Sequence, residues 1–394
     1  MGAEYGGNTE TMILAEFIGP KRPVEWLVQF WPVPLLSFCC ALAATWMCKR
    51  IALKLGIVDR PDHLVKTHKE PVAYLGGVGI LTGLTVGILT GLYVIQGHEH
   101  FGTIFRWLAG VLAGGAIACF VGVVDDVLNI RPGQKVFGQT IASLALILAG
   151  VLPTLHYFTG PLGWDMPAEL EYAFGVLAVV LFVLGATNSL NLLDGLDGLC
   201  AGVTGIITLA MLLLAVHLST WEFSAAGDPV RIIVCLSLVG GVFGFLPFNR
   251  HPAKIFMGDA GSMLLGFVVA ALMILFAERV PRWWMASIVV FGLPIVDTAT
   301  ALVRRLLNRR PLFVSDRGHI YDQMIDRGLS LRQTVAVCYL LAGLYAALGL
   351  FMSQIRTRYA VAAYVLVFAV SALVIWRKGF LRMEGLRGAV RKEP

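Results

Sequence analysis

Apolar runs of about 20 residues recur along almost the whole chain, and no other feature restricts its fold so strongly. Coiled as a helix, a run of that length crosses the roughly 30 Å of hydrocarbon in a bilayer, where a backbone must satisfy its own hydrogen bonds. The runs lie near 28–49, 75–95, 105–124, 136–153, 171–189, 199–218, 231–248, 262–277, 285–305, 333–353 and 360–376. The expected fold class is therefore all-α: a polytopic membrane protein of about 11 transmembrane helices. Charged residues make up only 14% of the 394, against about 25% in soluble domains. The net charge of +6 would otherwise invite nucleic acid, but in a multispanning chain it reflects Lys and Arg kept in cytoplasmic loops, so no nucleic-acid partner is expected. The seven cysteines form no C-x-x-C pair and read as small buried hydrophobes. Four glutamates against Lys21 and Arg22 in the first 25 residues are the wrong charge for a signal peptide, and no cleaved leader is expected there. Residues 1–394 read as one integral membrane domain, with a basic tail over 377–394 suited to anionic lipid.

The polar segments between the runs are of two kinds. Asp59–Gly77, Asp125–Lys135, Asn188–Leu199, Asn249–Ser262 and Asn308–Arg332 are long, charged and patterned, whereas the others are short and plain. With the tail and their borders, the patterned segments hold 23 of the 31 Lys and Arg residues. The positive-inside rule puts them in the cytoplasm, with the N-terminus outside and the C-terminus inside. Successive patterned segments are about 50 residues apart, which fits two spans and a turn. All five should emerge on one face and be able to meet there.

Asp125, Asp126, Asp194, Asp197 and Asp259 sit at the ends of apolar runs. Ionisable groups at that depth are costly and point to a site. Converging carboxylates repel unless a cation joins them, and Mg²⁺ suits an all-oxygen set that shares its ion with substrate phosphates. In Asn188-x-x-Asn191-x-x-Asp194-Gly-x-Asp197-Gly the polar residues recur every third position, so neighbours lie close on a helix. The two glycines let a ligand approach the backbone. Helix capping accounts for one such residue and leaves three. From Asn249 to Ser262 the chain combines an amide, cations, Phe256 and an Asp between glycines that opens the next run, where free N–H groups suit an anion. Phe256 reads either as a core or lipid-facing ring or as a platform for a base. Asp297, inside the ninth run, serves as the internal control for the motif carboxylates. His251, like His63, His156 and His217, has no partner at ligand spacing.

The Asn/Asp repeat, the Asp125-Asp126 pair, Phe256-Met-Gly-Asp259-Ala-Gly-Ser262 and Lys66-Thr-His68-(x)2-Pro71-(x)4-Gly76-Gly77 together resemble polyprenyl-phosphate N-acetylhexosamine-1-phosphate transferases, enzymes of glycosyltransferase family 4 type. Members initiate enterobacterial common antigen, O-antigen and teichoic-acid linkage units, and the phospho-MurNAc-pentapeptide translocase is a more distant relative. The resemblance spans about residues 50–335. It implies an inner-membrane enzyme with a cytoplasm-facing site, moving a sugar-1-phosphate from a UDP-sugar to undecaprenyl phosphate and releasing UMP. It further implies Mg²⁺, with Mn²⁺ as a substitute, and UDP-GlcNAc as the favoured donor. By resemblance, Asp125, Asp126 and His319 are catalytic, and Asp259 with nearby Asn191 forms the metal site. Lys66, Lys135, Asn188, Asp194, Asp197, Asn249, Phe256 and Arg317 are then expected to bind substrate.

The chain also departs from the family pattern. Val65, Ala73 and Tyr74 stand where many relatives have Arg, Pro and Arg. In the last loop, Asp316-Arg317-Gly318-His319-Ile320-Tyr321-Asp322 keeps one histidine of the usual three. The missing histidine-rich signature argues against a peptidoglycan precursor as donor. Two other readings are a transporter, whose carboxylates would lie mid-span, and a catalytically lapsed scaffold relative. Monomer and homodimer are both left open.

Overall fold

A computed structural model describes residues 23–59, 71–159, 163, 166–221, 223–278, 281–310 and 318–382. Lys66, His68 and Arg317 lie outside the described residues. In chain order the elements are α1 (Pro23–Gln29), α2 (Pro32–Leu55), β1 (Val58–Asp59), β2 (Val72–Ala73), α3 (Gly76–Val94), α4 (Phe101–Leu128), α5 (Pro132–Ala149), α6 (His156–Thr159), α7 (Ala168–Leu193) and α8 (Leu199–Ser219). They continue as α9 (Gly227–Asn249), α10 (Gly258–Leu275), α11 (Pro281–Val290), α12 (Gly292–Leu307), α13 (Ile320–Asp326), α14 (Leu331–Gln354) and α15 (Thr357–Arg377). The chain is an all-α polytopic membrane protein.

Every expected span coincides with a helix, with two differences of substance. Among the described residues nine helices are long and apolar enough to cross a membrane, and a tenth span is a pair, α11 and α12, bent by 68°. The break falls at Phe291, just before Gly292 and Pro294, whose ring removes a backbone donor. The remaining expected span, 136–153, corresponds to α5, which does not reach that standard because Gln134, Lys135, Gln139, Thr140 and Ser143 dilute its first turns. Two of them, Lys135 and Gln139, reach Asp259 and Asn188 on other helices.

The bundle is built around α10, which is buried along nearly its whole length and packs against α3, α4 and α7. Large apolar side chains such as Phe120, Leu148, Leu340 and Leu366 are exposed on the outside. Such an exterior suits lipid, which cannot drive helices together as water does; close backbone packing does so instead. A Cβ on Gly122 of α4 would lie 2.3 Å from the Ala260 nitrogen of α10, and one on Gly77 of α3 would lie 2.2 Å from the Gly261 nitrogen. Backbone atoms cannot swing aside as a flexible side chain does. Gly122→Ala is therefore expected to destabilise the protein by about 1–3 kcal/mol and to reduce activity, because α4 carries the acidic pair that meets α10. A melting temperature and rate equal to those of the parent protein in detergent would show that this interface yields.

Candidate active site

The site forms where the patterned segments meet at one end of the bundle. After α4, Asn129 adopts a left-handed conformation (φ 49°) and Pro132 opens α5, with the Gln134 side chain accepting from the Arg131 N–H at 2.9 Å. This tight reversal brings Lys135, in the first turn of α5, back to Asp125. The Lys135 ammonium pairs with Asp125 Oδ2 and lies 2.5 Å from Asp259 Oδ2 at the start of α10. The other oxygen of Asp125 accepts from the Ile130 N–H at 2.9 Å, and the residue is 7% exposed. The other oxygen of Asp259 accepts from Asn191 Nδ2 of α7 at 2.7 Å, and the same nitrogen reaches Ser262 Oγ at 3.0 Å. One cation is thus shared by carboxylates on two helices, and a third helix orients one of them.

Asp126 has a different duty from its neighbour. Its two oxygens accept from the backbone N–H groups of Asp259 and Ala260 at 2.8 and 3.2 Å. It therefore caps α10, where a negative charge complements the helix dipole. Through this cap Asp126 sets the position of Asp259.

The repeat on α7 is distributed among separate partners. Asn188 Nδ2 donates to Gln139 Oε1 of α5 at 3.0 Å and to Leu184 O at 2.7 Å. Asn191 faces Asp259, as above. Asp194 follows the last turn, and desolvation, then the carboxylates of Asp259, Asp126 and Asp197, raise its pKa well above the ordinary carboxylate range. Asp197 accepts from the Ala253 N–H at 3.0 Å and meets His251 Nδ1 at 2.8 Å. His251 has no partner at ligand spacing in the sequence; the one the fold gives it is 54 residues away, beyond the reach of a spacing pattern.

Asn249 is 3% exposed and engaged at both ends of its amide, with Oδ1 accepting from Gly198 N at 3.1 Å and Nδ2 donating to Ile255 O at 3.1 Å. It joins the turn after α7 to the loop before α10. That loop also pairs with the early motif. β1 and β2 are antiparallel, Ala73 bridges Ile255, and Phe256 N donates to Ala73 O at 2.8 Å. The rings of Tyr74 and Phe256 consequently stand 6.0 Å apart, tilted at 55°. Desolvation, with the charges of Asp59 and Asp126 next, raises the Tyr74 pKa.

His319 immediately precedes α13 and is 4% exposed. Its Nδ1 lies 2.8 Å from Asp297 Oδ2, and its ring stacks on Tyr321 at 5.5 Å and 9°. The Tyr321 hydroxyl donates to Leu192 O at 2.9 Å, next to Asn191. Asp297 is therefore tied to the last loop and is no neutral control. A lone Asp in an apolar run was the available signal; its partner, in another loop, was not visible. Gln139, fully buried against Asn188, carried no signal at all.

Asp125, Asp126, Lys135, Asn191 and Asp259 form one connected group, joined through α7 to His319 and through the Asn249–Phe256 loop to Asp197. The carboxylates gather at helix ends, which goes against the transporter reading. Among the described residues no three His, Cys, Asp or Glu side chains converge as a ready metal cage. Two carboxylates do converge, on Lys135.

Comparison with known proteins agrees with this geometry. The model of glycosyl transferase family 4 matches residues 108–277, from α4 to the end of α10. The chain is 30% identical to a probable undecaprenyl-phosphate N-acetylglucosaminyl 1-phosphate transferase of Bacillus subtilis, over 93% of this chain and 94% of the relative. It is 29% identical to a decaprenyl-phosphate N-acetylglucosaminephosphotransferase of Mycobacterium tuberculosis, over 96% of each. It is also 30% identical to a phospho-N-acetylmuramoyl-pentapeptide-transferase of Bacillus thuringiensis, over 76% of this chain and 90% of the relative. With the shared motifs brought to one end of the bundle, and one such relative matched nearly end to end, the chain belongs to the polyprenyl-phosphate N-acetylhexosamine-1-phosphate transferases of glycosyl transferase family 4.

Proposed function

We propose that this protein transfers N-acetylglucosamine-1-phosphate from UDP-GlcNAc to undecaprenyl or a similar polyprenyl phosphate, initiating a cell-surface polysaccharide. The observation that carries the reading is Lys135 held between Asp125 and Asp259, with Asn191 on the far oxygen of Asp259. A lipid phosphate oxygen attacks the sugar-bearing phosphorus of the donor, the bond from that phosphorus to the bridging oxygen breaks, and UMP leaves with the bridging oxygen. Donor and acceptor together bring about four negative charges, so bringing them together is the main electrostatic obstacle. Lys135 lies where it can turn from the carboxylates to phosphate oxygens. Asp125 orients the acceptor; as that phosphate is already largely ionised at neutral pH, proton removal is a small part of its role. Tyr74 and Phe256 stand together beside the site and suit a planar base.

The donor set suits Mg²⁺, with Mn²⁺ as a substitute. A hard cation of this kind takes one or two carboxylates and completes its shell with water and substrate phosphate. Asp259 and Asp125 would hold it; Asn191 turns its amide nitrogen toward Asp259 and so reaches the cation through that carboxylate. When bound, the ion neutralises the pyrophosphate and makes UMP a better leaving group.

Purified protein given labelled UDP-GlcNAc and polyprenyl phosphate is expected to yield a lipid-linked sugar pyrophosphate and UMP. Release of UDP would mean transfer of the sugar without its phosphate and would refute the reaction class. The site faces the cytoplasm of a cell with its N-terminus outside, in keeping with the Lys and Arg distribution. A cysteine placed at Gly133, where an added Cβ meets nothing within 4 Å, is accordingly expected to resist an impermeant thiol reagent in intact cells. Labelling from outside would reverse the topology.

A further inference from the structure

The carboxylate of Asp297 is 1% exposed and gives both oxygens to the start of α13: Oδ2 to His319 Nδ1 at 2.8 Å, and Oδ1 to the Ile320 N–H at 2.6 Å. Docking α13 against α12 requires an acceptor for Ile320 N alone, which a neutral amide or hydroxyl would supply. The second oxygen, and the charge, are spent on an imidazole. An ionised carboxylate is acceptor-only, so the proton between the two groups belongs to Nδ1, which leaves Nε2 as the atom the ring offers to a ligand.

The ring is held in other ways as well. One face lies on Tyr321, whose hydroxyl is tied to Leu192 O. A Cβ on Gly195 would come within 2.2 Å of that hydroxyl, so the turn carrying Asp194 closes over it. The preceding residue is fixed through its carbonyl, since Gly318 O accepts from Arg304 Nη1 and, at 3.0 Å, from Gln323 Nε2. The imidazole is thus restrained at its nitrogen, its face and its backbone, and the tyrosine on its face bonds to the residue after Asn191, the asparagine that orients Asp259.

We infer that Asp297 is a positioning residue of the transferase, which locks His319 in the Nδ1–H form and aims Nε2 at the anionic oxygens of the donor. The inference rests on the transferase reading above. The carboxylate balances the positive charge that the ring takes on as Nε2 shares a proton with a phosphate oxygen. In this protein a single histidine serves the last loop, and Asp297 with Tyr321 supplies the rigidity that its lone ring requires.

The test couples kinetics to a spectroscopic signature. Asp297→Asn keeps the volume but offers an amide whose nitrogen can donate to Nδ1 and so favour the wrong tautomer. It is expected to lower kcat more than about tenfold with the lipid-acceptor KM within about twofold, and adding His319→Ala to it should cost less than about threefold more, because residues acting as a unit are non-additive. In parent protein labelled with [15N]histidine, with His319→Gln identifying the signal, His319 should carry its proton on Nδ1, and its Nε2 resonance should move when UDP-GlcNAc is added. This measurement decides the matter even if Asp297→Asn does not fold. An Nε2–H tautomer with bare Nδ1, full activity in Asp297→Asn, or fully additive losses would overturn the positioning role. A parent protein that transfers from no UDP-sugar, yet shows the Nδ1–H signal, would instead count against the transferase reading.

Discussion

Asp259→Asn is expected to lose at least about a hundredfold in kcat/KM, roughly 3 kcal/mol of transition-state stabilisation. The side chain keeps its size but loses the charge that two partners use. Oδ2 faces the Lys135 ammonium and Oδ1 accepts from Asn191 Nδ2. An amide has one oxygen for these two donors, so its NH₂ must point at a second donor whichever way it turns. Asp125 is then left to hold Lys135 alone. The effect on folding should be small by comparison, because Lys135 and Asp259 are each about one-quarter exposed, and a partly solvated pair contributes little to stability. A variant that melts with the parent protein and fails in catalysis is the expected result. Activity within tenfold of the parent would remove Asp259 from the site. Added EDTA is expected to abolish the rate of the parent protein, with recovery on Mg²⁺ or Mn²⁺; an unchanged rate would refute the metal assignment.

His319→Ala is expected to lose more than about tenfold, over 1.4 kcal/mol, mostly in kcat. The ring lies between Asp297 and Tyr321 with Nδ1 on the Asp297 carboxylate, and no other histidine of the described residues shares that environment. Removal of the imidazole also strands the Asp297 carboxylate in a site that is 1% exposed, so part of the cost should appear as lost stability. Measuring melting temperature beside kcat separates the two. Tyr321→Phe should matter far less to catalysis: the stacked face remains, and only the bond to Leu192 O is lost, about 1 kcal/mol. Full activity in His319→Ala would make this loop structural and remove His319 from the catalytic group.

The sequence alone was enough to place the helices and to say which segments share a membrane face. Crossing hydrocarbon demands long apolar helices, and that demand is written locally, in composition and run length. The same economy made the acidic residues stand out, since a carboxylate at the end of an apolar run needs a reason to be there. The one weak span, α5, shows the limit of local composition, for its Lys135 and Gln139 serve Asp125, Asp259 and Asn188 on other helices.

Only the tertiary structure decided how the acidic pair divides its work, Asp125 on Lys135 and Asp126 on the first turn of α10. Adjacent residues on a helix point about 100° apart, so their partners depend on which neighbours pack on each side. The pairs Asp197–His251 and Asp297–His319 are likewise products of packing: each joins loops or helices distant in the chain, and a sequence read for spacing carries no record of such a distance. Composition told that this chain spans a membrane and bears charge at one end; the close approach of glycine-lined helices determined which charges meet.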